Sequence, residues 1–199
     1  MMTAEKALSV TAALLMGMAV GCSSPDAGEV DETEAGDVSS APAAEESSTG
    51  LNDAEIAAIV VAANSIDVRH GELARERAGD ERVREFAETM IRDHRAVNES
   101  AGALVERLGV TPEENDVSRS LQSSADQTIG SLTALTGAEF DRAYMAHEVD
   151  YHRAVLNALD ELLIPNATNA ELRETLVGVR PAFEAHLEHA QTLQQSLGT

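Results

Sequence analysis

The sequence predicts an all-α domain, a four-helix bundle with an extra short helix in the crossover between the second and third bundle helices. Three observations predict it. Apolar residues recur at three- and four-residue steps over long stretches, polar-acid pairs suited to capping stand at their starts, and no stretch alternates in the way a half-buried strand does. The domain is expected over residues 51–199, enough chain for one real core.

The first helix is expected near 53–78. Asn52 and Glu55 fit a capping box, in which the first side chain accepts from a free amide and the acid three residues on returns the bond. Ile56, Ile59, Val60 and Ala63 lead its apolar face. Gly79-Asp80 separates it from a second helix near 81–108, marked by Val83, Phe86, Met90, Val97, Ala101, Leu104 and Leu108 and stopped by Gly109. Thr111 with Glu114, and Pro112 at a tolerated first-turn position, precede a short polar segment near 118–135 that reads as part of a crossover. Thr136 with Glu139 opens a helix near 137–163, with Phe140, Tyr144, Tyr151, Val155 and Leu162 on one face and Pro165-Asn166 at its end. Thr168 with Glu171 opens the last helix, near 168–197, along Leu172, Leu176, Val179, Phe183, Ala190, Leu193 and Leu197. Pro181 should kink it, because proline removes an amide donor and clashes with the preceding turn.

Upstream of the domain the composition changes. Residues 1–21 read as a lipoprotein-type signal peptide, since Lys6 precedes an apolar run from Ala7 to Val20 that is short for a membrane span. The run closes on Ala19-Val20-Gly21-Cys22, which resembles a lipobox with Ala19 where Leu is usual. Cys22 is the only cysteine, so no intramolecular disulfide can form, and its position suits lipid attachment. Residues 22–50 are mostly Ser, Ala, Pro, Gly and acid with no basic residue, and read as a disordered, self-repelling acidic tether. The expected location is therefore outside the cytoplasm, lipid-anchored at the bacterial cell envelope. That means the outer membrane and periplasm, or the outer face of the membrane in a single-membrane organism.

The membrane, through lipidated Cys22, is the partner this reading names. A net charge of −21 argues against nucleic acid, because binding phosphate needs clustered Lys and Arg. The only lysine, Lys6, lies in the leader, which excludes Schiff-base chemistry from the mature chain. Neither a Gly-x-Ser-x-Gly elbow nor a phosphate-cradling glycine loop occurs. No protein partner is indicated, and homo-oligomerisation is compatible with the sequence.

Each long helix carries metal-ligand-type residues in its apolar stripe. Asp67 and His70 share the face of Ile56 and Ile59, and His94 falls within the face of Val83, Met90 and Ala101. His147 and Glu148 flank the line from Tyr144 to Tyr151, His186 sits between Phe183 and Ala190, and His152 and His189 fall nearer the edges. Burying such groups costs free energy, so their recurrence calls for a shared explanation, either a metal ion or a closed hydrogen-bond layer using Tyr144, Tyr151, Asp67 and Glu148 as partners. Bundle di-iron sites use Glu-x-x-His, whereas Ile91 and Phe183 stand three before His94 and His186, and only Asp67-x-x-His70 keeps the spacing, with a shorter acid. A standard di-iron carboxylate centre is not expected. A histidine-rich set suits zinc, copper or a single iron better. Register decides which residues meet: an all-antiparallel arrangement levels Asp67, His94 and His152, and a crossover returning to the other end favours His70, His147 and His186.

Four motifs carry a family resemblance: Gly71-x-Leu73-Ala74; Val83-x-x-Phe86-Ala87-x-x-Met90-x-x-Asp93-His94; Phe140-Asp141-x-x-Tyr144 followed by His152; and Pro181-x-x-x-x-His186-Leu187. On these the chain resembles the ferritin-like exported bacterial proteins grouped as domain of unknown function 4142, often labelled outer-membrane proteins. The resemblance implies a ferritin-like four-helix bundle and an envelope location, but no activity. It places the family's recurring polar residues on Asp67, where Glu is more usual, and on His94, His152 and His186. Helical phasing prefers His147 to His152, so the two routes disagree on that helix. The first reading is a non-catalytic envelope protein binding a transition-metal ion through Asp67, His94, His152 and His186, with His70, His147 and Glu148 as further candidates. The alternatives are an interaction or scaffold protein with a structural polar layer and, third, a metal-dependent oxidase or peroxidase.

Overall fold

The computed structural model describes residues 50–198, so the leader, Cys22 and nearly all of the tether lie outside the described residues. Within this range the regular elements are all helical: α1 (Asp53–Arg77), α2 (Glu81–Leu108), α3 (Asp116–Thr133), α4 (Gly137–Ala158), a π-helical turn (Leu159–Leu163), the short α5 (Ile164–Asn166) and α6 (Ala170–Leu197). None of the described helices is long and apolar enough to cross a membrane.

The helix ends show which local signals were used. Asn52 and Glu55 form the expected reciprocal box at the start of α1, with both bonds at 2.9 Å. Gly109 ends α2 at φ 64°, a left-handed conformation that glycine adopts without a Cβ penalty. The other three expected pairs need correction. α3 starts on a box between Asn115 and Ser118, because Glu113 N–H donates to the Ala54 carbonyl and the Asn115 amide to the Glu55 carbonyl. Those bonds hold the lead-in against α1 and delay the helix beyond Thr111. Thr136 stands at the start of α4 but makes no side-chain cap. Asn169, not Thr168, caps α6, accepting from Glu171 and Leu172 at 2.9 and 3.2 Å. Thr168 is engaged elsewhere: its N–H and hydroxyl both donate to the Asp53 carboxylate, at 2.8 and 2.5 Å, which pins the start of α6 to the start of α1.

The helix expected to run to residue 163 leaves the α geometry after Ala158. Leu159 and Leu163, at the two ends of the π turn, are both buried. The α6 helix continues through Pro181.

The buried apolar residues fall into two clusters. One gathers Ala74, Val83, Phe86, Met90, Phe140, Met145, Val149 and Leu193; the other gathers Ile56, Ile59, Leu104, Leu156, Leu163, Leu172, Leu176 and Phe183. The order in which each helix visits them gives its direction. α1 and α6 pass from the second cluster to the first, whereas α2 and α4 pass from the first to the second. The connection from α2 to α4 must therefore return the length of the bundle, and α3, lying along α1, spans it. Between the clusters every long helix turns polar: Asn64, Asp67 and His70 on α1, His94 on α2, Glu148 and His152 on α4, His186 on α6, all buried.

A buried layer of histidines and carboxylates

Asp67, Glu148 and His152 are fully shielded from solvent, and His70, His94 and His186 are no more than 7% exposed. The rings of His94, His152 and His186 form a nearly equilateral triangle, with centroids 5.6, 5.4 and 5.5 Å apart. Rings bound tetrahedrally to one ion at about 2.1 Å per nitrogen would have centroids roughly 5 Å apart. Phe183 stacks on His94 at 5.0 Å and closes one side of the triangle.

Each ring of the triangle has one nitrogen engaged on the outside. The Asn64 amide donates to the Val60 carbonyl at 2.8 Å, which leaves its oxygen to accept from His94 Nδ1 at 2.7 Å. His152 Nδ1 donates to the Glu148 carbonyl at 3.0 Å, and His186 Nε2 donates to the Asp93 carboxylate at 3.1 Å. Those acceptors place a proton on His94 Nδ1, His152 Nδ1 and His186 Nε2, which turns His94 Nε2, His152 Nε2 and His186 Nδ1 inward. All three atoms are buried without a hydrogen-bond partner, as are both oxygens of Asp67 and of Glu148. Asp67 Oδ2 lies 2.9 Å from His94 Nε2 and 3.5 Å from His152 Nε2, close but without the alignment of a hydrogen bond. Adjacent ligands on an ion with bonds of about 2.1 Å are separated by roughly 3.0 to 3.4 Å.

The electrostatics divide the two carboxylates. Burial is the largest single influence and disfavours the charge on Asp67, but His94, through its charge and its hydrogen bond, together with His152 and His70 outweighs it and holds the carboxyl at about 2. Burial beside that charge pushes Glu148 well above the ordinary carboxylate range. Burial also lowers His152 and His70 to about 4, and lowers His147 and His186, so these four rings are neutral at pH 7. Neutral imidazole is the form that ligates metal.

Among the described residues three sets offer ligand atoms within 4.8 Å of one another: His94, His152 and His186; Asp67, Glu148 and His152; and His70, His147 and Glu148. All seven residues singled out from the sequence thus lie in one layer. Helical phasing misjudged α4, since His152 is fully buried, His147 only partly, and it is His152 that joins His94 and His186. His189, placed at the edge of its stripe, is exposed and sets its ring edge-on to Phe86 at 5.2 Å. Neither register alternative holds alone, because the two expected groups meet at one level. Of the outer acceptors, Asn64 escaped the sequence reading, and Asp93 entered it only as part of a family motif, without this role. Asn64 stands one turn before Asp67 on the same face, a signal that could have found it. Tyr151 donates to the Ala63 carbonyl at 2.7 Å, as a satisfied core tyrosine does, while the buried Tyr144 hydroxyl has no aligned partner.

The family model described as Domain of unknown function (DUF4142) matches residues 38–193. The chain belongs to this family. Among solved structures, this DUF4142 chain is similar to a DUF305 protein from Streptomyces coelicolor whose name proposes that it is secreted. The TM-score is 0.60 at 15% identity, over 73% of this chain and 93% of that one, a likeness of fold alone. No curated protein matches the chain.

Proposed function

We propose that this DUF4142 chain is an exported, non-catalytic protein that binds a transition-metal ion in the middle of a ferritin-like four-helix bundle. Asp67, His94, His152 and His186 are the ligands. The ferritin-like reading is supported by the helix directions, with one long crossover between two antiparallel pairs. Export is supported by the leader-like residues 1–21 and by the name of the Streptomyces coelicolor neighbour. Anchoring through lipid on Cys22 belongs to the same proposal.

The observation that carries the metal reading is the orientation of the three rings. Each is tied down on its outer nitrogen and turns a second, buried nitrogen inward, those of His94 and His152 toward the Asp67 carboxylate at 2.9 and 3.5 Å and that of His186 without a partner. Ligand histidines in metal sites are held in this way, the outer acceptor fixing tautomer and ring plane. A purely structural layer would pair those atoms, since an unpaired buried polar group costs about 1–3 kcal/mol. Three imidazoles and one carboxylate suit zinc, copper or iron.

Metal content after dialysis against chelator and reloading tests this. One ion per chain or more is expected, with a rise in Tm on loading, because a ligand at one hundred times its Kd stabilises the folded state by about 2.7 kcal/mol. A His94→Ala/His186→Ala double variant should lose that ion and that rise. No stoichiometric metal, with a melting temperature indifferent to chelator, would leave the hydrogen-bonded scaffold as the better account.

A further inference from the structure

Beyond the His94–His152–His186 triangle lies a second group the single ion does not use. His70 Nδ1 and His147 Nε2 are 3.0 Å apart, with ring centroids at 4.5 Å and planes at 86°. Those are the separations of two neighbouring ligands at right angles on one ion with bonds of about 2.1 Å. Without an ion the two rings satisfy each other, one donating to the other. Burial of His70 is nearly complete, and the Ala125 carbonyl of α3 lies on its side, favouring its charged form, although Nε2 has no aligned bond.

Glu148 links the two groups. One of its oxygens comes within 4.8 Å of ligand atoms on His70 and His147, and one within 4.8 Å of ligand atoms on Asp67 and His152. Both oxygens are buried and unpartnered. A single ion held by the triangle and Asp67 leaves that carboxyl in the core with only the Tyr144 hydroxyl and His152 Nδ1, the latter at 3.5 Å, beside it, and leaves the His70–His147 pair unexplained. Seven donor residues are thus divided three histidines to two, with the two carboxylates in the middle.

We propose that the layer is a dinuclear site, in which His70 and His147 hold a second first-row divalent ion and Asp67 and Glu148 bridge it to the first. This rests on the single-ion reading above and goes beyond it in stoichiometry and in coupling. The donor set is histidine-rich and sulfur-free, which selects borderline ions such as iron, cobalt or zinc over calcium and magnesium. Two ions sharing carboxylates sit about 3.5–4 Å apart in bridged protein sites. The competing state is one ion, whose two charges the two carboxylates alone would balance, so stoichiometry decides between them.

The experiment loads the chelator-treated full chain with Co²⁺ under anaerobic conditions, removes excess metal, and measures bound cobalt, visible absorption and electron paramagnetic resonance. Two Co²⁺ per chain are expected, with a signal attenuated by spin coupling. A His70→Gln/His147→Gln double variant should bind one, and its signal should become that of an isolated ion. One Co²⁺ in the unaltered chain overturns the second site and leaves the single-ion function standing. None overturns both. Two Co²⁺ with uncoupled spectra refute the bridging carboxylates, a measurement that needs no variant to fold. Two Co²⁺ retained by the double variant remove His70 and His147 from the site.

Discussion

Gly71 is where the packing of α1 on α2 can be tested against helix propensity. A Cβ at this position would stand 2.9 Å from Ile91 Cγ1 and 3.0 Å from the Ala87 carbonyl oxygen, both inside ordinary van der Waals contact. Glycine-to-alanine in a helix interior gains about 1 kcal/mol from propensity. Forcing a methyl into a filled contact costs about 1–3 kcal/mol, and the Ala87 carbonyl is backbone of α2, so only a shift of a whole helix relieves it. Gly71→Ala should therefore destabilise by roughly 1 kcal/mol net. Gly102, exposed on α2 with nothing within 4 Å of its Cβ position, supplies the control. There the same substitution should stabilise by up to about 1 kcal/mol. Urea denaturation of the metal-free protein reads both, as midpoints moving in opposite directions at unchanged slope. If Gly71→Ala raised the midpoint as much as Gly102→Ala, the close approach of the two helices that sets Asp67 against His94 would be refuted.

Asp141, buried on α4, accepts from the N–H groups of Gly79 and Asp80 at 2.9 Å each and so ties the α1–α2 turn to α4. Asp141→Asn keeps one acceptor oxygen and strands one amide, an expected loss of about 1–3 kcal/mol by urea denaturation; an unchanged midpoint would mean the turn does not depend on it. The pH profile of the metal-free protein follows from the depressed histidines. His70 and His152 fall from 6.5 to about 4 on folding, so below pH 6.5 the unfolded chain binds protons that the folded chain refuses, and stability is lost as pH falls toward 4. The loss should be up to about 3 kcal/mol for either ring, and His152→Gln should reduce the slope in that window by about 1.4 kcal/mol per pH unit. Glu148 acts in the opposite sense, its contribution present below the ordinary carboxylate range and lost as pH rises through its elevated value. The two depressed histidines outnumber Glu148, so stability should rise from pH 4 to 6.5, and a flat profile over that range would contradict the burial of these rings.

The helices were legible because their signals are local. Stripes at 3.6-residue spacing, the Asn52–Glu55 box and Gly109 act within one or two turns, and α1 and α2 begin and end close to where these place them. Where a distant residue competes for the same group, the local reading slipped. Asp53 draws the hydroxyl of Thr168 away from capping α6, and Ala54 and Glu55 hold the lead-in to α3, although these partners lie some sixty to more than one hundred residues away in sequence. The face of α4 was misjudged because His147 and His152 are five residues apart, and helical phase alone cannot choose between two positions that both border the interior.

The sequence by itself determined that acids and imidazoles would enter the apolar stripe of each long helix, since amphipathic spacing is a property of the chain. Only the tertiary structure decided that they share one level, because depth along a bundle depends on helix direction and register, which the long return through α3 and the contacts of Asp53 and Asp141 set. It also decided which nitrogen of each ring turns inward, through the Asn64 side chain on another helix, the Asp93 carboxylate on another helix and the Glu148 carbonyl one turn back.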